Sequence, residues 1–298
     1  MNPPDWVTLR IFLAALDLGS VTKAADRCGI AVSAAAKRIQ DLELDHGVKL
    51  LERTARGVRP TSAGDMLAGH ARALLTLGDR LGRDLRAAKL GGAGSVRIDA
   101  TTSIIAGRDL AGCLAAFRGA HPGIALSLGE ETSLAGLRNV LEGRSDLALI
   151  TTPQAIPEGI AARPWRTDRL LVVLPAGHPA AGREAVGFAQ VLDWPLIGVI
   201  PNGALSLMLD EAAQKLGRRP DYGYRVATAE AAMRLVAAGH GVTVMPDGVM
   251  EVFAAAIGVV GIPLDEPWAL RELRLASRPP ETLPLPARLL LEHLAPDG

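Results

Sequence analysis

The chain has 298 residues, enough for two domains, and 49% of them are apolar, ample material for packed cores. Its formal net charge is zero, which excludes a chain-wide basic coat for nucleic acid; residues 1–90 nevertheless carry 14 Lys+Arg against 10 Asp+Glu, and the remainder 18 against 22, as when a basic DNA module is joined to an acidic partner module. Cys28 and Cys113 exclude a disulfide framework or a metal spacing and read as buried small apolar residues in a reducing compartment, while the absence of a leader pattern at the start and of any apolar run near the ~18–20 residues of a spanning helix gives the reading of a soluble cytoplasmic protein.

Leu9, Phe12, Leu13 and Leu16 have helical spacing, which predicts a first helix over Trp6 to Leu18, stopped by Gly19. Ser20 can cap a short Ala-rich second helix, VTKAADRC, and Gly29 makes a tight turn before a third helix from Val32 to Asp45 with Ala35, Ile39 and Leu42 on one face. Two short helices across a Gly-containing turn form a helix-turn-helix. Lys49 to Arg59 reads as a small hairpin with Gly57 near its tip. From Thr61, with Ser62 as the cap, to about Lys89 a long helix carries Leu67, Leu74, Leu81 and Ala88 every seven residues, with Ala71, Gly78 and Leu85 between them. Such a seam needs a partner helix, so this element is read as a dimerisation helix. GGAG then serves as a linker.

Beyond Ser95 strands alternate with helices. SVRIDA, IALSLGE, LALIT, RLLVVLP, PLIGVI, YRVAT and VTVMP are the expected strands, and Leu110–Ala120, Leu134–Glu142, Leu205–Leu216 and Ala229–Ala238 the expected helices. That alternation predicts a parallel α/β sheet. A break near Pro164–Arg169 divides it into two lobes joined by crossover strands, with Leu273–Ser277 and the last helix, Pro286–Leu294, returning to the first lobe.

SVTKAADRCGIAVSAAAKRIQDLE (Ser20 to Glu43) and GVKLLERTARGVRPTSAG (Gly47 to Gly64) together resemble the N-terminal domain of LysR-type transcriptional regulators, at many positions of fixed spacing. FRGAHPGIALSL, GRSDLALIT, VLPAGHPAA and LVAAGHGVTVMP are similar, more loosely, to segments of that family's effector domains. The resemblance implies a winged helix-turn-helix over 1–61, a linker helix over 62–91 and an effector-binding domain over 92–298. That last part would be a two-lobed α/β domain like a type 2 periplasmic binding protein, with lobe 1 about 92–164 and 269–298 and lobe 2 about 165–268. It also implies a regulator of transcription controlled by a small-molecule co-inducer bound between the lobes. Operator DNA, a homotetramer built as a dimer of dimers, and RNA polymerase are the partners it brings. One segment departs from the pattern: where the recognition helix usually opens with Ser-Gln followed by Pro or Ser, this chain has Ala31, Val32 and Ser33, and a second common Ser is Ala36. A missing cap at Ala31 costs about 1 kcal/mol unless Ser33 takes over, and losing Gln removes a bidentate base reader.

With Ala35, Ile39 and Leu42 facing the core, Val32, Ser33, Ala36, Lys37 and Gln40 turn outward. Val32 can read only a thymine methyl or pack on sugars. Lys37 and Arg38 can reach a guanine edge or a phosphate. Thr22 and Lys23 begin the second helix, where backbone N–H groups accept a phosphate, and Arg53, Thr54 and Arg56 lie in the wing, Arg53 with a competing role as a brace. In the second domain, ligands of an open α/β sheet sit beyond the carboxyl ends of its strands. Those ends are Thr101, Thr102 and Ser103; Thr151 and Thr152; and Pro201, Asn202 and Gly203. On the residues alone ordinary helix capping is the competing explanation, and the two-lobed fold that the resemblance implies turns the reading to ligand contact. As a site, these neutral donors without a lysine or arginine suit a small monoanion. No catalytic constellation is legible: there is no G-x-S-x-G or P-loop, the six histidines are scattered, His178 and His240 read as solvated turn residues, and Glu130-Glu131 point to opposite faces. The competing reading is a cytoplasmic small-molecule-binding protein or enzyme with an accessory helical domain.

Overall fold

In a computed structural model, residues 4–54, 57–89, 93–151, 155–200 and 203–296 are described, without the side chains at 80, 87, 88, 108 and 255. The chain divides into two compact units between Lys89 and Leu90.

In the first unit α1 (Trp6–Leu18) starts where Asp5 accepts from Val7 and Thr8 N–H, and ends at Gly19 (φ 61°). Ser20 caps α2 (Val21–Cys28) through Lys23 N–H, and Gly29 (φ 67°) turns the chain into α3 (Val32–His46). Ile11, Ala15, Ala24, Ala25, Ala35 and Ile39 form one buried cluster. The small alanines let the helices approach closely. β1 (Leu51–Thr54) and β2 (Gly57–Pro60) make the hairpin, with Thr54 opposite Gly57. Val58 N–H donates to Gly19 C=O at 3.0 Å. Gly57 has φ 131°, and a Cβ there would meet Gly19 O at 2.0 Å, so only glycine lets the hairpin seat against the α1–α2 turn.

The helix α4 (Ser62–Lys89) follows. The heptad seam does not run its full length. Leu67 and Ala71 pack into the unit's own core with Leu9, Phe12, Leu13 and Leu42, and Gly78 lies under Trp6, whose ring is 2.6 Å from where a Cβ would stand. On the same helix Leu74, Leu77, Leu81 and Leu85 are 46%, 62%, 58% and 62% exposed. Leu77 stands outside the heptad positions, and the side chain of Ala88, which is one of them, lies outside the described residues.

The second unit is built on one continuous strand. β6 (Ala161–Pro175) carries two lobes: its first half pairs with β11 (Leu270–Ser277), its second with β9 (Thr243–Pro246) and β10 (Val259–Pro263). Lobe 1 orders β4 (Ile124–Glu130), β3 (Gly94–Ala100), β5 (Leu147–Thr151), β11 and β6, under α5 (Thr102–Ala106), α6 (Arg108–Ala120), α7 (Ser133–Leu141) and α12 (Leu285–Leu294). Lobe 2 adds β7 (Leu196–Val199) beside β8 (Tyr222–Val226), tied to the β9 side by a bridge between Leu196 and Val242, with α8 (Phe188–Val191), α9 (Ala204–Lys215), α10 (Ala229–Ala237) and α11 (Asp247–Ile257). Separate apolar clusters fill them, around Ile98, Phe117 and Leu290 in lobe 1 and around Leu170, Phe188 and Val244 in lobe 2.

The sheet is therefore mixed rather than parallel. β3 pairs in parallel with β4 and β5, but β6, β9, β10 and β11 pair antiparallel. Nor does the chain break near Pro164–Arg169: the register shifts opposite Leu273/Arg274, so that Pro164 and Arg166 pair and Trp165 is the extra residue. A bulge accommodates a proline that has no N–H to offer a ladder. Where the crossing strands run side by side, Arg271 binds Asp168 bidentately, Nε to Oδ1 at 2.7 Å and Nη2 to Oδ2 at 2.5 Å, with only 6% and 13% of those side chains exposed.

Candidate nucleic-acid interface and interlobe cleft

α3 presents Val32, Ser33, Ala36, Lys37 and Gln40 to solvent while Ala35, Ile39 and Leu42 are buried. Ala31, the residue before the helix, makes no side-chain cap bond. Thr22 and Lys23 are exposed in the first turn of α2. These residues give a surface of two hydroxyls, an amide, two ammonium groups and small apolar groups, which suits phosphate and base-edge contacts. Arg38 does not belong to that face. Its Nη1 donates to Asp5 Oδ2 at 2.9 Å and to Thr8 Oγ1 at 3.1 Å, bracing α3 against the start of α1. The Thr8 N–H bond, with Thr8 hydroxyl, Arg38 and Val7 N–H, outweighs partial burial and holds the Asp5 carboxyl below the usual range.

In the wing Arg53 is exposed, and Thr54 turns its hydroxyl to Gly57 C=O at 3.3 Å. Arg56 lies outside the described residues. The wing is aimed by a residue with no role in the sequence reading beyond its place in a pattern. Glu43, 8% exposed near the end of α3, accepts from Leu50 N–H at 2.8 Å, Leu51 N–H at 3.1 Å and Lys49 Nζ at 2.7 Å. Burial would raise its carboxyl, but those three donors hold it below the ordinary value. The signal was a carboxylate seven residues before a buried backbone N–H, which no periodicity displays.

In the second unit the expected cleft residues split. Thr101 precedes α5 without capping it through its side chain and lies 3.4 Å from Ser103 Oγ. Thr102 donates to Glu130 Oε1 at 2.6 Å, so its hydroxyl is committed to a carboxylate rather than held for an anion. Thr151 is buried, its N–H donating to Ser133 Oγ at 3.1 Å and its hydroxyl 3.3 Å from the same oxygen at the start of α7. Gly203 is extended and starts α9, beside Ile200 in the left-handed region at φ 50°. Thr152, Pro201 and Asn202 lie outside the described residues. Between the lobes, Ser103 and Asp109 of lobe 1, Trp165 and Asp168 of β6, and Asp247 and Gly248 of lobe 2 line a cavity of about 50 Å³. Its lining includes three carboxylates and, among the described residues, no lysine or arginine. Sequence reading missed the acids because they stand on three separate elements.

Among the described residues no group of His, Cys, Asp and Glu could hold a metal ion, and no helix is long and apolar enough to cross a membrane. Cys28 and Cys113 are half-buried. His178 is packed rather than solvated: its ring meets Trp194 edge-on at 4.7 Å, and burial, with Arg183 nearby, lowers its pKa.

The family model described as "Bacterial regulatory helix-turn-helix protein, lysR family" matches residues 6–65, and "LysR substrate binding domain" matches residues 90–297. The "Small neutral protease regulatory protein" of Streptomyces coelicolor is 36% identical over 191 residues, covering 62% of this chain and 56% of that relative. The "HTH-type transcriptional regulator TtuA" of Agrobacterium vitis is 28% identical over 278 residues, covering 90% and 89%. The structure of "full-length CbnR complexed with the target DNA complex" shares the fold at a TM-score of 0.65 and 23% identity, covering 99% of this chain and 100% of that one.

Proposed function

The chain belongs to the LysR family of bacterial transcriptional regulators, and on that premise we propose that it binds operator DNA through α3 and the wing and responds to a small co-inducer held between the lobes of residues 92–298. The observation that carries the DNA reading is the face of α3 on which Ser33, Lys37 and Gln40 stand exposed above a buried Ala35–Ile39–Leu42 row. Lys37, Thr22, Lys23 and Arg53 supply phosphate or base contacts, and Val32 supplies an apolar contact. CbnR, whose fold this chain shares, has been solved with its target DNA. The exposed Leu74, Leu77, Leu81 and Leu85 support dimerisation through 62–91, because a solvated row of that size on one helix stabilises association when covered. A tetramer, contact with RNA polymerase and a cytoplasmic location complete the reading.

The test is a gel-shift titration of the full chain on DNA from upstream of its own gene, in competition with unrelated DNA, at several salt concentrations. Saturable binding that resists the competitor, with a linear loss against log salt, is the expected result. Equal binding to both DNAs would remove operator recognition from the reading.

A further inference from the structure

We propose that a groove on lobe 2, formed by the end of α9, the turn that follows it and β8, binds a phosphoryl anion, as inorganic phosphate or a phosphate monoester, through Arg219 and Arg225. The groove has a volume of about 580 Å³ and shares no lining residue with the cavity between the lobes. Its lining holds Arg218, Arg219 and Arg225 and one carboxylate, Asp210. Two of these four charged groups already have partners. Arg218 donates from Nη1 to Ala189 C=O at 2.7 Å and from Nη2 to Leu192 C=O at 2.9 Å and Asp193 Oδ1 at 2.8 Å, which fastens the turn to the end of α8. Asp210 Oδ1 accepts from the Tyr222 hydroxyl at 3.0 Å. Arg219 and Arg225 are exposed, and neither has a hydrogen bond or an ion pair among the described residues.

Arg225 is nevertheless held in place. Its guanidinium carbon lies over the Tyr222 ring, 4.0 Å from the centre, and that ring is fixed by its bond to Asp210 and by packing against the lobe 2 core. A guanidinium on a ring face keeps its fork of N–H groups for another acceptor. With Arg218 set against Asp193, and Asp210 against one of the other two arginines, the groove retains one positive charge and favours an anion. The carbonyls at the end of α9 would repel an anion if they were bare. They are covered: Ala213 C=O accepts from Leu216 and Arg218 N–H, and Gln214 C=O from Gly217 N–H. A carboxylate fills one guanidinium fork, whereas the three oxygens of a phosphoryl group serve two. The Gln214 amide, also in the lining, adds a neutral donor. A phosphoryl group fills only part of the groove, which leaves Pro220 and Tyr222 for the remainder of an ester.

The experiment is calorimetric titration of the full chain, at fixed ionic strength and about pH 8 where phosphate is a dianion, with inorganic phosphate, glycerol 2-phosphate and acetate. Both phosphates are expected to bind at millimolar concentration, and acetate at least about tenfold more weakly. Arg219→Gln and Arg225→Gln are each expected to weaken phosphate about tenfold, and Arg225→Lys, which keeps the charge and loses the fork, by less than Arg225→Gln. Both positions are exposed, so melting temperatures are expected to match the wild type. Arg234→Gln, at an exposed arginine of α10 paired with Glu230, should leave binding unchanged. Tighter glycerol 2-phosphate assigns a phosphorylated metabolite and tighter inorganic phosphate the free ion, both as proposed. Acetate binding as tightly as phosphate overturns the phosphoryl assignment. Phosphate binding that survives both glutamine substitutions together, or that Arg234→Gln weakens equally, overturns the groove as the site. Absence of saturable binding, or heat lost when chloride is the supporting electrolyte, means an adventitious ion only and overturns the proposal.

Discussion

Replacing Glu43 by alanine should unfasten the wing from the recognition helix. The carboxylate is 8% exposed and takes the N–H groups of Leu50 and Leu51, at 2.8 and 3.1 Å, and Lys49 Nζ at 2.7 Å. Leu50 is itself buried at 3%, so its N–H finds no water when the acceptor is removed. An unsatisfied buried donor costs about 1–3 kcal/mol, and a bond to a charged acceptor is worth about 1.5–3. The Lys49 end is 75% exposed and adds at most a few tenths of a kcal/mol. Glu43→Ala is therefore expected to cost about 3 kcal/mol in the N-terminal unit, on the order of 12 °C or more in its melting temperature. Glu43→Gln retains an oxygen for the two backbone donors and should cost about 1 kcal/mol. The pH dependence follows from the folded carboxyl lying below its ordinary value of 4.5. The stabilisation is complete above 4.5 and is lost as pH falls below it through the folded value; Glu43→Gln lacks this loss. Urea unfolding of the full chain, with amide exchange at Leu50 and Leu51 as the local probe, measures both effects. A change below 1 kcal/mol for Glu43→Ala, with those amides still protected, would refute the reasoning.

Lys37→Ala should weaken operator binding and, if the contact is to phosphate, reduce the slope against log salt by about one unit; unchanged affinity at every salt concentration would take Lys37 out of the interface. Val32 offers only carbon atoms, so uracil in place of its thymine partner should cost up to about 1 kcal/mol, and a scan in which no thymine responds would leave Val32 as packing. Leu74→Glu with Leu81→Glu should dissociate the dimer, because unpaired charges cannot be buried cheaply; an unchanged sedimentation coefficient at micromolar protein would argue against the α4 seam. Arg271→Ala strands Asp168 in a 13%-exposed site and should destabilise the second unit by about 3–5 kcal/mol, largely recovered in the Arg271→Met, Asp168→Leu pair. Thermal melts in which the single and double variants behave alike would contradict this.

The helix-turn-helix was legible because its punctuation is local. Gly19, Ser20, Gly29 and Gly47 stop and start helices through their own backbone and side chains. The Ala35–Ile39–Leu42 row fixes which side of α3 is free. What the sequence concealed was long-range. Arg38 looked groove-facing because its partner Asp5 stands 33 residues away. Leu67 and Leu74 share a heptad position, yet only the fold shows that α1 covers the first of them. The first half of β6, AARPWRTD, is mostly polar and holds a proline, so it lacked a strand's alternation; its partner is the far β11. DGVMEVFAAAI is apolar on nearly every side and gave no helical stripe, which hid α11 and with it Asp247. Of the cleft, the strand ends were readable, but not that Thr102 and Thr151 would spend their hydroxyls on Glu130 and Ser133.

The passage of β6 and β11 through both lobes also sets how the second unit comes apart. Lobe 1 is closed on one side only by β11 and the first half of β6, and β11 is reached only after lobe 2 has been traversed. Neither lobe is therefore an independent cooperative block, and a chain ending at Thr151 would hold only the three strands β3, β4 and β5 of lobe 1. Loss of pairing anywhere along β6 is felt on both sides, so the two lobes are expected to unfold in one calorimetric transition. Amide exchange should find the same opening free energy at Leu149 in lobe 1 and Val172 in lobe 2.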